Sequence, residues 1–176
     1  MPFSPAFEQA LRITLGEEGG WSNVAGDRGG PTMAGITQAT YDEYRRLRGL
    51  PARSVAESTP EERKDAYFEL FWNRGRCSSL GAPASLVHFD SCVNHGPGTA
   101  VRLVQAIVGA RPIDGGFGPR TTAAVAHFAA RDLARKIITA RRGFYVGLLV
   151  TNPGDSDSKF INGWLARMDH IEPMLA

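Results

Sequence analysis

The 176-residue chain is long enough for one ordinary domain or two small ones, and its 43% hydrophobic content can form a real core. Charged residues make up 22% of the chain, and the formal net charge is only +2, which argues against a dedicated nucleic-acid-binding protein. No stretch reaches the roughly 20 apolar residues needed to cross a bilayer, so we expect no stable membrane insertion. The N-terminus lacks a basic start followed by an unbroken apolar run, and we expect no signal peptide.

The N-terminal part of the chain predicts a helix followed by glycine-rich turns and a small β-hairpin. Ser4 can cap a helix whose apolar residues recur at four-residue spacing from Phe7. The stretch that follows is crowded with glycine and ends in short apolar alternation, which is typical of turns and a hairpin. Helical patterning returns at residues 38–48 and 60–72.

The rest of the chain predicts helices separated by breaks rich in glycine and proline. The best internal boundary is the break at residues 94–98. The fold class predicted for the whole chain is mainly α with one small N-terminal β-hairpin. The predicted helices run from Pro83 through Asp90, from Thr99 to Val108, over a long stretch interrupted by Gly143 and ended at Asn152-Pro153, and over a final segment with Phe160, Trp164 and Met168.

Glu18 is the strongest candidate for acid chemistry. On a helical wheel it lies in line with Leu11, whereas Glu17 points away, so Glu18 is expected to face the core. A carboxyl group at a helix end that is turned toward apolar neighbours and a cleft can stay protonated near neutral pH, as a general acid requires. The alternative is that Glu18 only hydrogen-bonds the glycine-rich loop behind it, and its position alone does not decide between the two.

Asp27 and Thr32 follow Glu18 in the segment that must fold back beside the helix end. In an inverting glycosidase one acid protonates the leaving oxygen, while a more distant carboxylate activates the attacking water. Asp27 is the candidate for that carboxylate, and Thr32 could help to place the water. The alternative for Asp27 is an ordinary turn residue before the glycines that follow it.

These residues belong to a longer ordered pattern. It runs through Glu18-Gly19-Gly20-Trp21, Asn23, Asp27-Arg28-Gly29-Gly30-Pro31-Thr32 and Gly35-Ile36-Thr37. The pattern resembles the N-terminal signature of glycoside hydrolase family 108, the phage and bacterial N-acetylmuramidases. Further resemblances to the family are Tyr67-Phe68, Phe71-Trp72-Asn73, Phe89-Asp90, Val93-Asn94, Gly96, Leu103, Gln105, Asp114-Gly115 and Gly163-Trp164-Leu165-Ala166-Arg167.

The resemblance spans nearly the whole chain and implies a lysozyme-like fold with the hairpin beside the active-site cleft. It implies hydrolysis of the β-1,4 bond between N-acetylmuramic acid and N-acetylglucosamine in peptidoglycan, with Glu18 as the catalytic glutamate. The spacing to Asp27 and Thr32 resembles the Glu, Asp and Thr set of phage-type lysozymes, with an Asp-to-Thr gap that is one residue shorter here. The substrate-binding candidates are Trp21, which could instead anchor its loop, and Trp72, Asn94 and Gln105.

The second half of the chain has a resemblance of its own. Residues 114–121 resemble the Asp-Gly-x-Phe-Gly-Pro-x-Thr motif of helical peptidoglycan-binding modules. In terms of local structure, the aspartate and glycines form a tight turn and Thr121 or Thr122 caps the next helix, so we place a structural role ahead of sugar contact. We predict a catalytic region at 1–92 and a helical region at 93–176 that resembles such a module, packed into one compact unit.

No metal site or cofactor is predicted. Cys77 and Cys92 lack metal-ligand spacing and are interpreted as free buried thiols, and the histidines are scattered along the chain. A nucleophile and base formed by Cys92 and His95 is a weaker hypothesis than the carboxylates. We interpret five arginines as solvated, although some could face murein carboxylates: Arg45, Arg46, Arg48, Arg141 and Arg142.

Together these observations predict a muramidase of the endolysin type, monomeric, with peptidoglycan glycan strands as its partner. One alternative is a lytic transglycosylase, which ends by internal attack of the sugar's own hydroxyl. Another is a non-catalytic wall-binding module, which would give no reason for a core-facing Glu18 followed by Asp27. Without a signal peptide the chain would accumulate in the bacterial cytoplasm and reach the cell wall through a holin-like pore or another export route, which favours a phage origin.

Overall fold

A computed structural model describes residues 2–16, 21–22, 32–33, 35–151 and 158–175 of the chain. In these ranges the chain forms eight α-helices and a three-stranded antiparallel sheet, which confirms the prediction of a mainly helical fold with an N-terminal β-hairpin. None of the described helices is both long and apolar enough to span a membrane. The helices are α1 (Pro5–Leu15), α2 (Gln38–Leu47), α3 (Pro60–Tyr67), α4 (Ala84–His95), α5 (Pro97–Val108), α6 (Pro119–Val125), α7 (Ala130–Thr151) and α8 (Ser158–Ile171).

Helix α1 begins as its sequence predicts and ends earlier than predicted. The Ser4 side chain accepts a hydrogen bond from the backbone N–H of Phe7, at 3.3 Å, and caps the helix. The helix ends at Leu15, because Gly16 adopts a left-handed φ of 69°. Glu18 would share a helix face with Leu11 only if the helix continued through Gly16, so the helical wheel gives no reason to expect a core-facing Glu18.

The sheet consists of three two-residue strands, β1 (Trp21–Ser22), β2 (Thr32–Met33) and β3 (Ile36–Thr37). Strand β2 lies in the middle and pairs antiparallel with both neighbours. Strand β3 therefore extends the predicted hairpin by one strand. It leads directly into α2, because the Thr37 side chain caps that helix by accepting a hydrogen bond from the N–H of Thr40 at 3.2 Å.

Helices α2 and α3 are joined by an ion-pair network around Glu62. The Thr59 hydroxyl and the Glu62 carboxylate form a capping box that starts α3. Glu62 also accepts a hydrogen bond from Arg45 at 3.0 Å and one from Arg53. Arg45 is only 6% exposed, so its interpretation as a solvated residue was wrong. The predicted helix at residues 60–72 continues beyond α3 as a π-helical segment, Phe68–Asn73.

Helix α4 is the centre of the molecule. Its residues from Ala84 to Cys92 are all buried, and it packs against α1, α5 and α7. It runs past the predicted end at Asp90 to His95, and the chain then turns at Gly96, where φ is +78°. The helix break thus lies within the predicted boundary at 94–98, while the proposed division between residues 92 and 93 falls inside α4.

Two expectations for the second half of the chain were wrong. Helix α6 begins after Gly118 without a side-chain cap, and the Thr121 hydroxyl instead accepts a hydrogen bond from Gln105 at 3.3 Å. Helix α7 runs through Gly143 without a break. The burial of Arg141 and Tyr145 on either side of that glycine stabilises the helix more than one glycine weakens it.

Candidate active site and buried polar clusters

The predicted catalytic acids, Glu18 and Asp27, lie outside the described residues, and their roles stay predictions. For Trp21 and Thr32 the structure describes the backbone. Trp21 lies in β1 opposite Met33, and Thr32 lies in β2 between β1 and β3. The backbones of these two candidates therefore belong to one small sheet.

The residues that flank the predicted catalytic segment lie next to each other. Gly35, in the turn between β2 and β3, has a φ of +78°. A Cβ atom at this position would lie 2.7 Å from the Tyr67 hydroxyl oxygen and 3.6 Å from Leu15 Cδ2. Only glycine fits such a close approach. The end of α1 and the β2–β3 turn thus meet beside Tyr67, which is buried at the end of α3.

A buried ion-pair network contacts the end of α1. Asp90, on α4, is fully buried and accepts hydrogen bonds from Arg141 Nη1 at 2.8 Å and from Arg167 Nε at 2.7 Å. Arg167 also donates from Nη2 to Asp90 and to the backbone carbonyl of Thr14, in the last turn of α1. Arg167 of α8 therefore links the buried carboxylate directly to the end of α1.

The same network continues to His95 through a tyrosine. Arg141 Nη2 donates to the Tyr145 hydroxyl at 3.2 Å, and that hydroxyl lies 2.7 Å from His95 Nε2. Burial and the nearby charge of Arg141 lower the pKa of His95 to about 4. At neutral pH the imidazole is therefore uncharged, and its Nε2 can accept a hydrogen bond from the Tyr145 hydroxyl, whose oxygen accepts one from Arg141.

The predicted substrate contacts Trp72 and Asn94 have different positions. Trp72 is 2% exposed, donates its indole N–H to Ser78 Oγ at 2.9 Å, and packs against Phe7 and Phe89. This burial assigns Trp72 to the core. Asn94 is exposed near the end of α4, and its side chain donates to the Asp90 backbone carbonyl at 2.7 Å. Of these two, only Asn94 has a surface that a glycan could contact.

Gln105, the remaining candidate, anchors the Asp-Gly turn. It is 1% exposed, and its side chain donates to Asp114 Oδ1 at 2.9 Å and accepts from the Gly115 N–H at 3.0 Å. Gly115 has a φ of +82°, and a Cβ there would lie 2.9 Å from the carbonyl oxygen of Gly98. The tight turn predicted for this motif is confirmed, and Gln105 belongs to the interior.

Comparisons with known proteins agree with this architecture. Residues 11–96 match the family described as Glycosyl hydrolase 108, and residues 99–169 match the family described as Predicted Peptidoglycan domain. The N-terminal half of the chain therefore contains a glycosyl hydrolase 108 region. The two matched regions meet at the break between α4 and α5, and helices of both regions pack on α4.

A solved structure, that of SagA from Brucella abortus, resembles this protein over almost its full length. The match covers 96% of this chain and 92% of that chain, with 29% sequence identity and a TM-score of 0.79. The predicted lysozyme-like helical fold is confirmed. Among curated proteins, none matches the sequence. The two family matches indicate a glycoside hydrolase that acts on peptidoglycan.

Sequence reasoning missed the buried ion pairs of this protein. Asp90 was noted only as part of the resemblance, and Arg141 was interpreted as solvated, although it is 0% exposed. The available signal was Asp90 itself, a single acid in the apolar helix α4. A carboxylate in such a helix requires a cationic partner, but sequence alone does not show which arginine supplies it.

Sequence reasoning also missed a cluster of two thiols and an imidazole. Cys77, His88 and Cys92 are fully buried, and their ligand atoms lie within 4.8 Å of one another. Both thiols are free and buried, as predicted. The pairing of Cys92 with His95 was wrong, because Cys92 Sγ lies 3.7 Å from His88 Nε2 while His95 contacts Tyr145. The four-residue spacing of His88 and Cys92 on one helix face was the missed signal.

Burial and neighbouring groups set the pKa values of the two thiols in this cluster. Burial disfavours the Cys92 thiolate, but a hydrogen bond from the Cys77 thiol and the charge of His88 outweigh it and lower the pKa of Cys92 to about 5. Burial raises the pKa of the Cys77 thiol. Cys92 is therefore the more acidic of the two thiols.

Proposed function

We propose that this protein is an N-acetylmuramidase. It hydrolyses the β-1,4 bond between N-acetylmuramic acid and N-acetylglucosamine, with Glu18 as the general acid. The observation that carries this proposal is the convergence of Leu15 and Gly35 beside Tyr67. These two residues flank the segment that contains Glu18, Asp27 and Thr32, so the residues at the two ends of that segment lie next to each other.

The proposed mechanism divides the chemistry between two carboxyl groups. Glu18 protonates the glycosidic oxygen as the bond breaks, and Asp27 orients or deprotonates the attacking water with help from Thr32. The proton that Glu18 gives to the leaving sugar is balanced by the proton that the water loses. Neither step requires a cofactor.

The Asp90 network supports this mechanism by holding the helix that precedes the acid. A general acid must lie within hydrogen-bond reach of the oxygen that it protonates. Glu18 follows the last residue of α1 by three positions in the sequence. Arg167 anchors the last turn of α1 at the Thr14 carbonyl and is itself held by Asp90. Asp90 and Arg167 are therefore positioning residues in this proposal.

The experiment compares two variants with the same change at adjacent positions, Glu18→Gln and Glu17→Gln. Each protein is incubated with purified peptidoglycan while turbidity is followed, and the soluble fragments are reduced with borohydride and analysed by mass spectrometry. We expect the wild type and Glu17→Gln to release fragments with reducible N-acetylmuramic acid ends. Glu18→Gln should be slower by about 100-fold or more at unchanged folding, as judged by circular dichroism.

The alternatives give different results in the same experiment. Fragments that end in non-reducible anhydro sugars would show a lytic transglycosylase. Binding to peptidoglycan without clearing would show a wall-binding protein. Equal activity of wild type and Glu18→Gln would overturn the assignment of Glu18, whereas equal loss in Glu17→Gln would show that the segment is sensitive to any change.

We also propose an endolysin-type role, on the basis of the resemblance to phage muramidases. In this role the protein is made in the bacterial cytoplasm and reaches the wall through a holin-like pore. Expression in a bacterium with and without such a pore tests it. Rapid lysis that requires both the pore and Glu18 is the expected result, and lysis without the pore would contradict it.

A further inference from the structure

The cluster of Cys77, His88 and Cys92 joins two parts of the chain that are separate in sequence. Cys77 opens a short 3-10 turn, Cys77–Ser79, after the π-helical segment. His88 and Cys92 lie one helical turn apart on α4, so both point to the same side of that helix. The turn and the helix therefore contribute their side chains to a single buried point.

The chemistry of the three side chains matches that of a soft or borderline cation. Thiolate and imidazole ligands suit Zn²⁺ and Cu⁺, whereas Mg²⁺ and Ca²⁺ prefer oxygen. Zinc bonds of about 2.3 Å to sulfur and about 2.0 Å to nitrogen place neighbouring ligand atoms about 3.5 to 4 Å apart. Cys92 Sγ and His88 Nε2 are already 3.7 Å apart, and all three ligand atoms lie within 4.8 Å. Closure around an ion thus requires side-chain shifts of about 1 Å.

Burial and charge favour Zn²⁺ over Cu⁺. Metal ligands bind as thiolates and as neutral imidazole, so Cys77, His88 and Cys92 together would contribute two negative charges. Zn²⁺ neutralises them completely, whereas Cu⁺ would leave one uncompensated charge in a site whose three residues are 0% exposed. The Gly75 carbonyl oxygen lies 2.9 Å from His88 Nε2, so without metal this nitrogen donates its proton to the carbonyl, and metal binding would release that proton.

Gly75 keeps the cluster compact. A Cβ atom at this position would lie 2.5 Å from Cys92 Sγ and 3.2 Å from Cys77 Sγ. Any side chain here would push the two sulfur atoms away from the backbone and from each other. The glycine therefore lets the chain pass close to both sulfurs, with its carbonyl directed at His88.

We propose that Cys77, His88 and Cys92 bind one Zn²⁺ ion as a structural site that ties the turn at residues 75–79 to α4. The site is independent of the reaction proposed for Glu18. Two of its ligands, His88 and Cys92, lie on α4 on either side of Asp90 in the sequence. Metal binding would stabilise the folded state, because the unfolded chain does not hold the three ligands together.

The test uses the full chain without an affinity tag, kept reduced throughout. The protein is unfolded in guanidinium chloride with a chelator and then refolded with ZnSO₄, with CoCl₂ or without metal. We expect about one zinc ion per chain by elemental analysis after gel filtration, and a higher melting temperature than that of the metal-free protein. The cobalt form should show near-ultraviolet thiolate-to-metal absorption and the visible bands of tetrahedral Co²⁺.

Matched variants separate this site from adventitious binding. Cys77→Ser, Cys92→Ser and His88→Gln should each reduce the metal content to below about 0.1 ion per chain. His127→Gln, a change of an exposed histidine, should leave one ion bound. If a variant does not refold, the cobalt spectrum of the wild type decides, since only thiolate ligands give the near-ultraviolet absorption.

Three results would overturn the proposal. The first is wild type that refolds with zinc present and holds none. The second is retention of the ion by both serine variants. The third is a mass lower by two hydrogen atoms after refolding with zinc, which would show that Cys77 and Cys92 form a disulfide instead.

Discussion

Two carboxylate–arginine networks stabilise different parts of this protein. Glu62 pairs with Arg45 and Arg53, which are 17 and 9 residues away, and its side chain is 21% exposed. Asp90 pairs with Arg141 and Arg167, which are 51 and 77 residues away, and it is fully buried. The first network holds α2 and α3 together, while the second joins the two matched regions and the end of α1.

The difference shows what each network can do. A partly exposed ion pair exchanges water for a protein partner at little net gain, and its loss is partly replaced by water. A buried pair is stable only while all its members are present, because removal of one leaves an uncompensated charge. We therefore expect the network around Asp90 to control global stability and the network around Glu62 to have a smaller, local effect.

The largest effect is expected from Asp90→Asn. This change leaves the buried Arg141 without its counter-charge and should lower the free energy of unfolding by about 3–5 kcal/mol. It should also slow peptidoglycan hydrolysis in the protein that remains folded, because Arg167 loses the carboxylate that holds it at α1. Urea denaturation followed by circular dichroism, with activity measured well below the transition, checks both.

A stability loss below about 1 kcal/mol for Asp90→Asn would show that the buried network is no stronger than an exposed ion pair. If the variant does not accumulate as a folded protein, Arg167→Gln replaces it. That change removes the partner whose side chain is 29% exposed and leaves Asp90 paired with Arg141. It should cost less stability but should still reduce activity.

The next effect is expected from Glu62→Gln. Glutamine can still accept the hydrogen bond from the Thr59 N–H, but it loses the charge that faces Arg45 and Arg53. We expect the free energy of unfolding to fall by about 1–2 kcal/mol, clearly less than for Asp90→Asn. The same urea experiment measures it, and a loss equal to that of Asp90→Asn would contradict the view that this network is local.

The contribution of Glu62 to the free energy of unfolding also depends on pH. Burial raises the pKa of Glu62, but hydrogen bonds from Thr59 and Tyr41 and the charges of Arg53 and Arg45 outweigh it, and the net pKa is lowered. Because the folded-state pKa is the lower one, the stabilisation is present above the ordinary glutamate pKa and is lost as pH falls through the folded value. Wild type and Glu62→Gln should therefore converge in stability at strongly acid pH.

The two networks also differ in how far the sequence predicted them. Local features followed from short patterns: the Ser4 cap, the hairpin, the start of α3 at Pro60 and the turn around Asp114. The partners in these features lie only a few residues apart, so spacing alone indicates them. The fold class followed from the same patterns together with the resemblance to the family.

The contacts between distant parts of the chain did not follow from the sequence. Arg141 and Arg142 are adjacent and chemically identical, and only the packing of α7 on α4 buries the first. Cys77 and His88 meet because a π-helical segment and a 3-10 turn bring the chain back to α4, and neither feature has a clear sequence signature. The roles of Glu18 and Asp27 rest on the sequence resemblance.

The His95 end of the Asp90 network predicts a smaller, pH-dependent effect. The pKa of His95 is about 4 in the folded protein because of burial and the charge of Arg141, and about 6.5 when unfolded. Between these values the unfolded chain binds the proton and the folded protein does not, so stability falls as pH falls. Allowing for the partial exposure of His95, we expect a loss of about 1 kcal/mol from pH 7 to pH 4.

The comparison of wild type with His95→Gln isolates this contribution from that of the other titrating groups. The difference in unfolding free energy between the two proteins, measured in urea at several pH values, should decrease as pH falls. Glutamine can still accept the Tyr145 hydroxyl hydrogen bond but does not titrate. A constant difference across this pH range would show that His95 titrates normally in the folded protein.

The smallest effect is expected from Arg142→Gln, which provides the sharpest contrast with the buried network. Arg142 pairs with Asp169 at 2.5 Å and with Glu172 at 2.8 Å, and these side chains are 34%, 71% and 48% exposed. Its removal should lower the free energy of unfolding by about 0.5 kcal/mol or less, and added salt should reduce that difference further. Arg141→Gln, the same change one residue earlier, should cost at least about 2 kcal/mol and be nearly independent of salt, because Asp90 is buried. Arg141 and Arg142 are the same residue type at adjacent positions of one helix, so the two variants differ mainly in the burial of the ion pair. Equal losses for the two variants would mean that burial does not set the strength of these ion pairs.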